Sequence, residues 1–379
     1  MRTYTIPSLL ASLSLLIGAC NLNDSSDDDD ADGANGKNGG VNSPQNPGGG
    51  GGDSGNPGHN PGGSGGGQNQ ARALSPTTLL FERRVAADQE HIVAIDYLTK
   101  EQWVISTLEE NNVPGWTVDG MAISRDRTRI VFSSMVGASS ADAATMMAAQ
   151  RIWSMNIDGQ DWIRLTPVFK SNGTTSKIDV RNPSFSPDGQ TVVYDYGEYA
   201  GGSWYVAPFL VASDGSATPA LVPTNLNCSI NGYGAYNPVT GDLLLKHSVC
   251  VPGSPSGLYL YPKDGSAPIQ LVDGNSLELT SERPVFTTDG AGILFTAQPS
   301  PGKESSLYIY LMKDQKVVRL LEGEAGIWVV NAAVAPDDRH IVVCLRENGN
   351  TNLWLWDVGV DPTTFEPLTQ DQISCNPVF

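Results

Sequence analysis

Asn182 to Tyr196 reads NPSFSPDGQTVVYDY, and degraded copies recur as GMAISRDRTRIVFSS from Gly120, RPVFTTDGAGILFTA from Arg283 and NAAVAPDDRHIVVCL from Asn331. Self-similarity at a period of about 50 residues means one supersecondary unit copied several times. Within the unit, Phe185 ends an inner strand. Ser186-Pro187-Asp188-Gly189 then turns the chain: Pro presets φ, Asp bonds nearby backbone and Gly takes φ > 0. Thr191 to Tyr194 is a buried, β-branched second strand, and Ser203 to Ala212 is a third. After Asp214-Gly215, Pro219 to Val222 makes a fourth. Four antiparallel strands with alternating tight and long connections form a propeller blade.

Aligning the copies on Phe185 places equivalents at Ile123, Tyr236, Phe286, Val334 and Phe379, at spacings of 45 to 62 residues. The last of these is the final residue of the chain. Near the other end, Thr77 to Arg83 (TTLLFER) reads as a second strand with no inner strand before it. HIVAIDYLT and WVIST follow as third and fourth strands. CNPVF at 375–379 supplies the missing strand, and a ring closed in this way leaves no exposed sheet edge. The expectation is an all-β, six-bladed β-propeller of four-stranded antiparallel blades over residues 73–379, closed by the C-terminal strand joining the first blade.

This pattern resembles the TolB-like (WD40-like) propeller repeats of bacterial envelope proteins, which read roughly P-x-[FW]-S-P-D-G followed by a β run and a later D-G. The resemblance covers Leu74 to Phe379 and implies both the propeller fold and a place in the cell envelope. TolB itself carries an α/β domain ahead of its propeller. Here a different segment stands in that place.

Residues 1–19 read as an export signal: Arg2, then an apolar run from Ile6 to Ile17 that is too short to span a bilayer. Leu16-Ile17-Gly18-Ala19-Cys20 resembles the lipobox of bacterial lipoproteins, which implies that Cys20 is lipidated and becomes the mature N-terminus. Asn21 after it points to the outer membrane, facing either the periplasm or the surface. Residues 20–72 are rich in Gly, Asn, Pro, Ser and Asp with almost nothing apolar. Such a segment cannot offset its conformational entropy and is expected to be a disordered tether, with a reach on the order of 40 Å. Asp28, Asp30, Asp32 and Gly33 match the opening of a calcium loop, but Gly39 stands where the bidentate Glu belongs. No metal and no cofactor is expected.

The formal net charge is −18 at pH 7. So acidic a body is a poor partner for nucleic acid or for anionic membrane surfaces, which leaves the lipid anchor as the expected membrane contact. A monomer is expected. Beyond Cys20 the cysteines are Cys228, Cys250, Cys344 and Cys375, an even set that an oxidising compartment allows to pair. Cys228 and Cys250 fall in loops of the same rim and are expected to bridge. Cys344 and Cys375 belong to neighbouring blades, where a second bridge and two buried thiols both stand as readings.

Strand parity sorts the loops. Turns between first and second strands, and between third and fourth, lie on one rim and are short: SPDG, TTDG, APDD, IDG, SDG, KDG. Connections on the other rim are longer and varied, among them Met135 to Gln150, Tyr196 to Gly202, Ser248 to Ser256, Gln298 to Ser305, Phe169 to Asp179 and Leu226 to Gly232. Function concentrates on variable loops held by a rigid scaffold, so this second rim is the expected binding face. Residues opening the inner strands should crowd around the channel mouth: Asp119, Arg181, Asn182, Tyr233, Glu282, Arg283, Asn331 and Asn376. Trp116, Tyr199 and Trp328 are close to them in sequence. Convergent aromatic and charged groups in a concavity form the default ligand site.

Catalytic signatures are scarce. The four histidines are His59, His91, His247 and His340, and no H-E-x-x-H occurs. No G-x-S-x-G elbow lies in the folded region. Ser186-Pro187-Asp188-Gly189 is superficially like a sialidase Asp box, but its glycine comes one position early and the tryptophan is missing. Glu198, Glu282 and Glu324 could face one another across the mouth, as a glycosidase pair requires. Related repeats also occur in a polysaccharide lyase family, whose metal-binding histidine set has no counterpart here. The expected function is a lipid-anchored, non-catalytic binding platform for an envelope protein or a cell-wall component. The alternative is a polysaccharide-active lyase or hydrolase with its site at the propeller mouth.

Overall fold

The computed structural model describes residues 74–86, 89–109, 120–134, 150–167, 175–200, 203–224, 228–250, 255–279, 283–358 and 365–379. Cys20, Trp116, Asp119, Glu282, the export signal, the tether and most of the Met135–Gln150 loop lie outside these residues. Blade 1 takes β1 (Thr78–Ala86), β2 (Gln89–Asp96) and β3 (Gln102–Glu109). Blade 2 is β4 (Met121–Ile123), β5 (Arg129–Ser134), β6 (Arg151–Asn156) and β7 (Ile163–Arg164). Blade 3 is β8 (Thr175–Phe185), β9 (Thr191–Ala200), β10 (Ser203–Ala212) and β11 (Ala220–Leu221). Blade 4 is β12 (Cys228–Tyr236), β13 (Leu243–Cys250), β14 (Gly257–Tyr261) and β15 (Ile269–Asp273). In blade 5 the inner strand is split into β16 (Glu278–Leu279) and β17 (Val285–Phe286), before β18 (Gly292–Gln298), β19 (Ser306–Leu311) and β20 (Lys316–Leu321). Blade 6 is β21 (Ile327–Val334), β22 (His340–Glu347), β23 (Asn350–Asp357) and β24 (Phe365–Pro367). The last strand, β25 (Ser374–Val378), pairs antiparallel with β1 and completes blade 1.

The protein is therefore a six-bladed propeller closed by its C-terminal strand. Its core is a ring of apolar seams between consecutive blades. Second strands are buried on both faces, so neighbouring residues face opposite seams. Leu80 and Ile92 pack with Ile130 and Phe132 of blade 2, while Leu79 and Phe81 pack with Val342 and Leu355 of blade 6. The second of these seams shuts the ring, and Phe379 packs against it.

The repeated turn is held by a side-chain clasp. Ser186 Oγ donates to Asp188 Oδ1 at 2.6 Å, Gln190 N donates to the same carboxylate oxygen, and Thr191 N donates to Ser186 Oγ. Gly189 takes φ 70° at the corner. Ser124 with Asp126 and Thr287 with Asp289 repeat the clasp at 2.6 Å. The hydroxyl donors hold the carboxyls of Asp188 and Asp126 below the usual range. The S-P-D-G phrase is thus a local fold signal with its own hydrogen-bond logic.

Several stretches expected as long loops are strands. Within Tyr196–Gly202, β9 runs on to Ala200 and pairs with β10 up to Ser203. Trp204 sits opposite Tyr199 with ring centroids 5.6 Å apart, a cross-strand aromatic pair that stabilises the extension. The connectors Phe169–Asp179 and Leu226–Gly232 likewise enter β8 at Thr175 and β12 at Cys228. Blades 3 and 4 stand tall at this rim, and a parallel bridge from Val206 to Ile230 joins them.

Candidate functional site

Several inner strands carry a device that the repeat alone does not announce. Three or four residues before the repeated position the chain breaks its regular pairing: register shifts fall between Arg181 and Ser184, between Gly232 and Ala235, and between Val329 and Asn331. At this position Asn182, Tyr233 and Asn376 take left-handed φ of 52°, 58° and 52°, and Gly120 takes 100°. A bulge of this kind re-aims a side chain out of the strand's alternation. It helps to bring Asn182, Tyr233 and Asn376 to the waist of the channel, where Arg283 and Asn331 join them.

Arg283 is the crossbar. Its Nε donates to Asn182 Oδ1 of blade 3 at 3.1 Å. Its guanidinium also reaches blade 2, diametrically opposite, where a Cβ on Gly120 would collide with Nη2. Glycine suits position 120 because φ 100° strains any residue with a side chain and because the arginine and the Asn182 backbone crowd the place a Cβ would take. Asn182 passes the contact on, donating through Nδ2 to Asp195 Oδ2 at 2.9 Å, while Tyr233 N donates to Asp195 Oδ1 at 2.8 Å. Burial pushes the Asp195 carboxyl up to about 7, against the lowering by those two hydrogen bonds and by Arg181. A second relay mirrors the first: Asn331 donates to Asn376, which donates to Glu82 Oε2 at 2.6 Å. Arg181 forms an ion pair with Asp179, and the Lys246 ammonium lies 4.8 Å from the Tyr233 ring centroid.

Asp195, Glu82 and Lys246 were missed in the sequence, although a signal for them exists. Ten residues beyond the repeated aromatic stand Ser133, Asp195, Lys246, Thr296 and Cys344, all buried within otherwise apolar second strands. Glu82 holds the same place in blade 1, opposite Cys375. A buried polar position recurring at one offset marks the inner belt of the ring.

Below this belt the channel opens into a cavity of about 450 Å³ on the tight-turn rim. Its walls are the repeated aromatics Phe185, Tyr236, Phe286 and Phe379 with Pro183 and Pro284, and Arg283 forms its floor. The expected binding face was the other rim. The cavity instead opens beside Pro76, on the rim where the chain enters the propeller. Tyr199 and Trp328 do not line it. Tyr199 pairs with Trp204, and Trp328 carries Arg346 at 5.5 Å from its ring centroid.

One cysteine pair is placed by the approach of two blades, the other by strand register. Cys344 and Cys375 form a disulfide with Cα atoms 5.4 Å apart, tying blade 6 to the closing strand. Cys228 is disulfide-bonded and stands directly opposite Cys250 on β12 and β13. Deeper in blade 4, His247 is buried between Asn231 and the Tyr261 hydroxyl, and burial pushes its ring down to about 4.

At the level of sequence, no family model and no curated protein matches the chain. Solved structures do match in shape. TolB from Acinetobacter baumannii aligns with a TM-score of 0.57 at 14% identity, covering 80% of this chain and 66% of that one, so the chain spans slightly less than two thirds of that relative. A putative TolB from Agrobacterium tumefaciens aligns at 0.53 and 14% identity, covering 79% and 91%. Hydrazine synthase from Kuenenia stuttgartiensis aligns at 0.59 and 14% identity, covering 80% of this chain and 46% of that one. Identities this low speak to fold, and the fold is shared by an enzyme as well as by the TolB proteins. The chain is a six-bladed β-propeller similar in fold to TolB.

Proposed function

We propose that this protein is a lipid-anchored binding module of the bacterial cell envelope, whose channel receives a segment of another envelope protein. The observation that supports it best is the channel itself: apolar and aromatic walls ending on a polar belt whose members hold one another. Rigid, pre-formed concavities of this size, with a few oriented polar groups, suit recognition. An incoming segment buries its apolar side chains against Phe185, Tyr236 and Phe286, and its polar end meets Arg283. The lipobox at Cys20 and the tether at 20–72 support an anchored domain with room to move.

Crosslinking in intact envelopes followed by affinity capture tests the reading. Wild-type protein should return one specific partner, and Phe286→Ala and Arg283→Ala should lose it while still folding. Recovery of the same proteins by wild type and both variants would contradict a channel site. Metabolic labelling with a radioactive fatty acid should mark wild type and not Cys20→Ala.

One observation favours a second reading, a polysaccharide-active enzyme: the Asp195 carboxyl, raised by burial to near neutrality, lies one hydrogen bond behind Asn182 of the cavity lining, a place from which it could tune acid–base work. Turnover of any soluble glycan that is lost in Asp195→Asn would favour that reading over the first.

A further inference from the structure

Away from the channel, blade 6 holds a second concavity of about 450 Å³ at the rim opposite the tight turns. Most of its lining comes from one hairpin, with Ile327 and Gln372 beside it. Glu347 pairs with Asn350 across a two-residue turn in which Asn348 and Gly349 take φ of 52° and 85°, the left-handed pair that locks a tight hairpin. The register then sets Leu345 opposite Asn352 and Val343 opposite Trp354. Alternation along β23 therefore puts Asn350, Asn352 and Trp354 on one face, beside Leu345 and Glu347. The stretch NTNLWLW encodes this as amide, amide, indole at every second residue. Asn352 is oriented: its Oδ1 accepts from Gln372 N at 3.0 Å, so its amide nitrogen is the donor left for the groove.

The lining chooses among ligand classes. Its residues include one carboxylate, Glu347, and no cation, and the whole chain carries −18, so an anionic ligand is disfavoured. An apolar ligand would strip water from Asn348, Asn350 and Asn352 without replacing their hydrogen bonds, a cost of about 1–3 kcal/mol for each buried group. Neutral amides offer both donors and acceptors, as hydroxyl groups do, and the indole among them offers apolar surface to a ring face. We propose that this groove on blade 6 binds a neutral oligosaccharide, with a sugar ring against Trp354 and its hydroxyls on Asn348, Asn350, Asn352 and Glu347. The site is independent of the channel and stands whether or not a protein segment binds there.

Calorimetric titration of the intact folded protein tests this, with cellotetraose and chitotetraose as neutral probes and tetragalacturonate and a lysine-rich peptide as charged ones. At least one neutral probe should bind with a Kd of about 1 mM or tighter. Asn350→Ala, an exposed change that leaves folding intact, should weaken it about tenfold, and Trp354→Leu should abolish it. Arg283→Ala in the channel should leave sugar affinity unchanged, which separates the two sites. Absence of neutral-sugar binding, equal affinity in Asn350→Ala, or tighter binding of either charged probe would overturn the assignment.

Discussion

Asp195 is the residue whose chemistry departs furthest from its type, and it gives the clearest handle on the channel. Its carboxyl is raised from 3.8 to about 7 by burial, so the folded state holds a proton that the unfolded chain has released. The stability this proton confers is full below about pH 4 and is lost as pH rises through about 7. His247, pushed down to about 4, acts with the opposite sign over an overlapping window, so the slope of wild type alone would mislead. The difference between wild type and Asp195→Asn isolates the carboxyl. Melting profiles across pH 4 to 8 should show the variant gaining on wild type as pH rises, and parallel profiles would contradict the buried, protonated state. Gly120 supplies a second residue-scale test. Gly120→Ala should cost about 1–3 kcal/mol through strain and contact with the Arg283 guanidinium. In an Arg283→Ala background the cost should shrink, a coupling that denaturant melts of the four-member cycle would read. Asn182, Arg283, Asn331 and Asn376 were legible in the sequence because they open visible repeats. Their partners Asp195 and Glu82 were not, because a polar residue in a buried strand looks like a lapse in alternation until the bulge opposite it is known.

At the scale of single elements, the turns were the most legible part of the chain. The stretch from Ser186 to Thr191 carries its hydrogen-bond clasp within six residues, so sequence and structure say the same thing. Strand ends were less legible. The extension of β9 and β10 depends on Tyr199 meeting Trp204 across the hairpin, a pairing fixed by register rather than by local propensity. The same limit applied to Cys344 and Cys375, whose pairing depends on how closely blade 6 approaches the closing strand. Their bridge spans a separation of 31 residues, which by loop entropy contributes about 3–4 kcal/mol. Replacing both by alanine should lower the unfolding free energy by roughly that amount in denaturant melts without changing the strand content seen by circular dichroism. A change within error would show that the closing strand is held by pairing and packing alone.

The whole molecule depends on circular continuity. Six apolar seams each need a blade on both sides, and the seam between blades 6 and 1 is reached only when β25 lies against β1. Leu80 pairs with Val378 and Glu82 with Cys375, so the last residues place both the Asn376 relay and Phe379, one wall of the cavity. Binding in the channel and integrity of the ring are therefore linked through the same short strand. Fold class, blade number and closure were all readable from the repeat, because repetition amplifies a weak local pattern six times. The side of the ring on which the cavity opens was not, because it is set by where Arg283 crosses the axis. The most direct test is thermal unfolding of a chain ending at Ile373, which lacks β25. The closed ring predicts loss of the cooperative transition or a melting temperature lowered by more than ten degrees, and a truncated chain that melts like the full-length protein would contradict it.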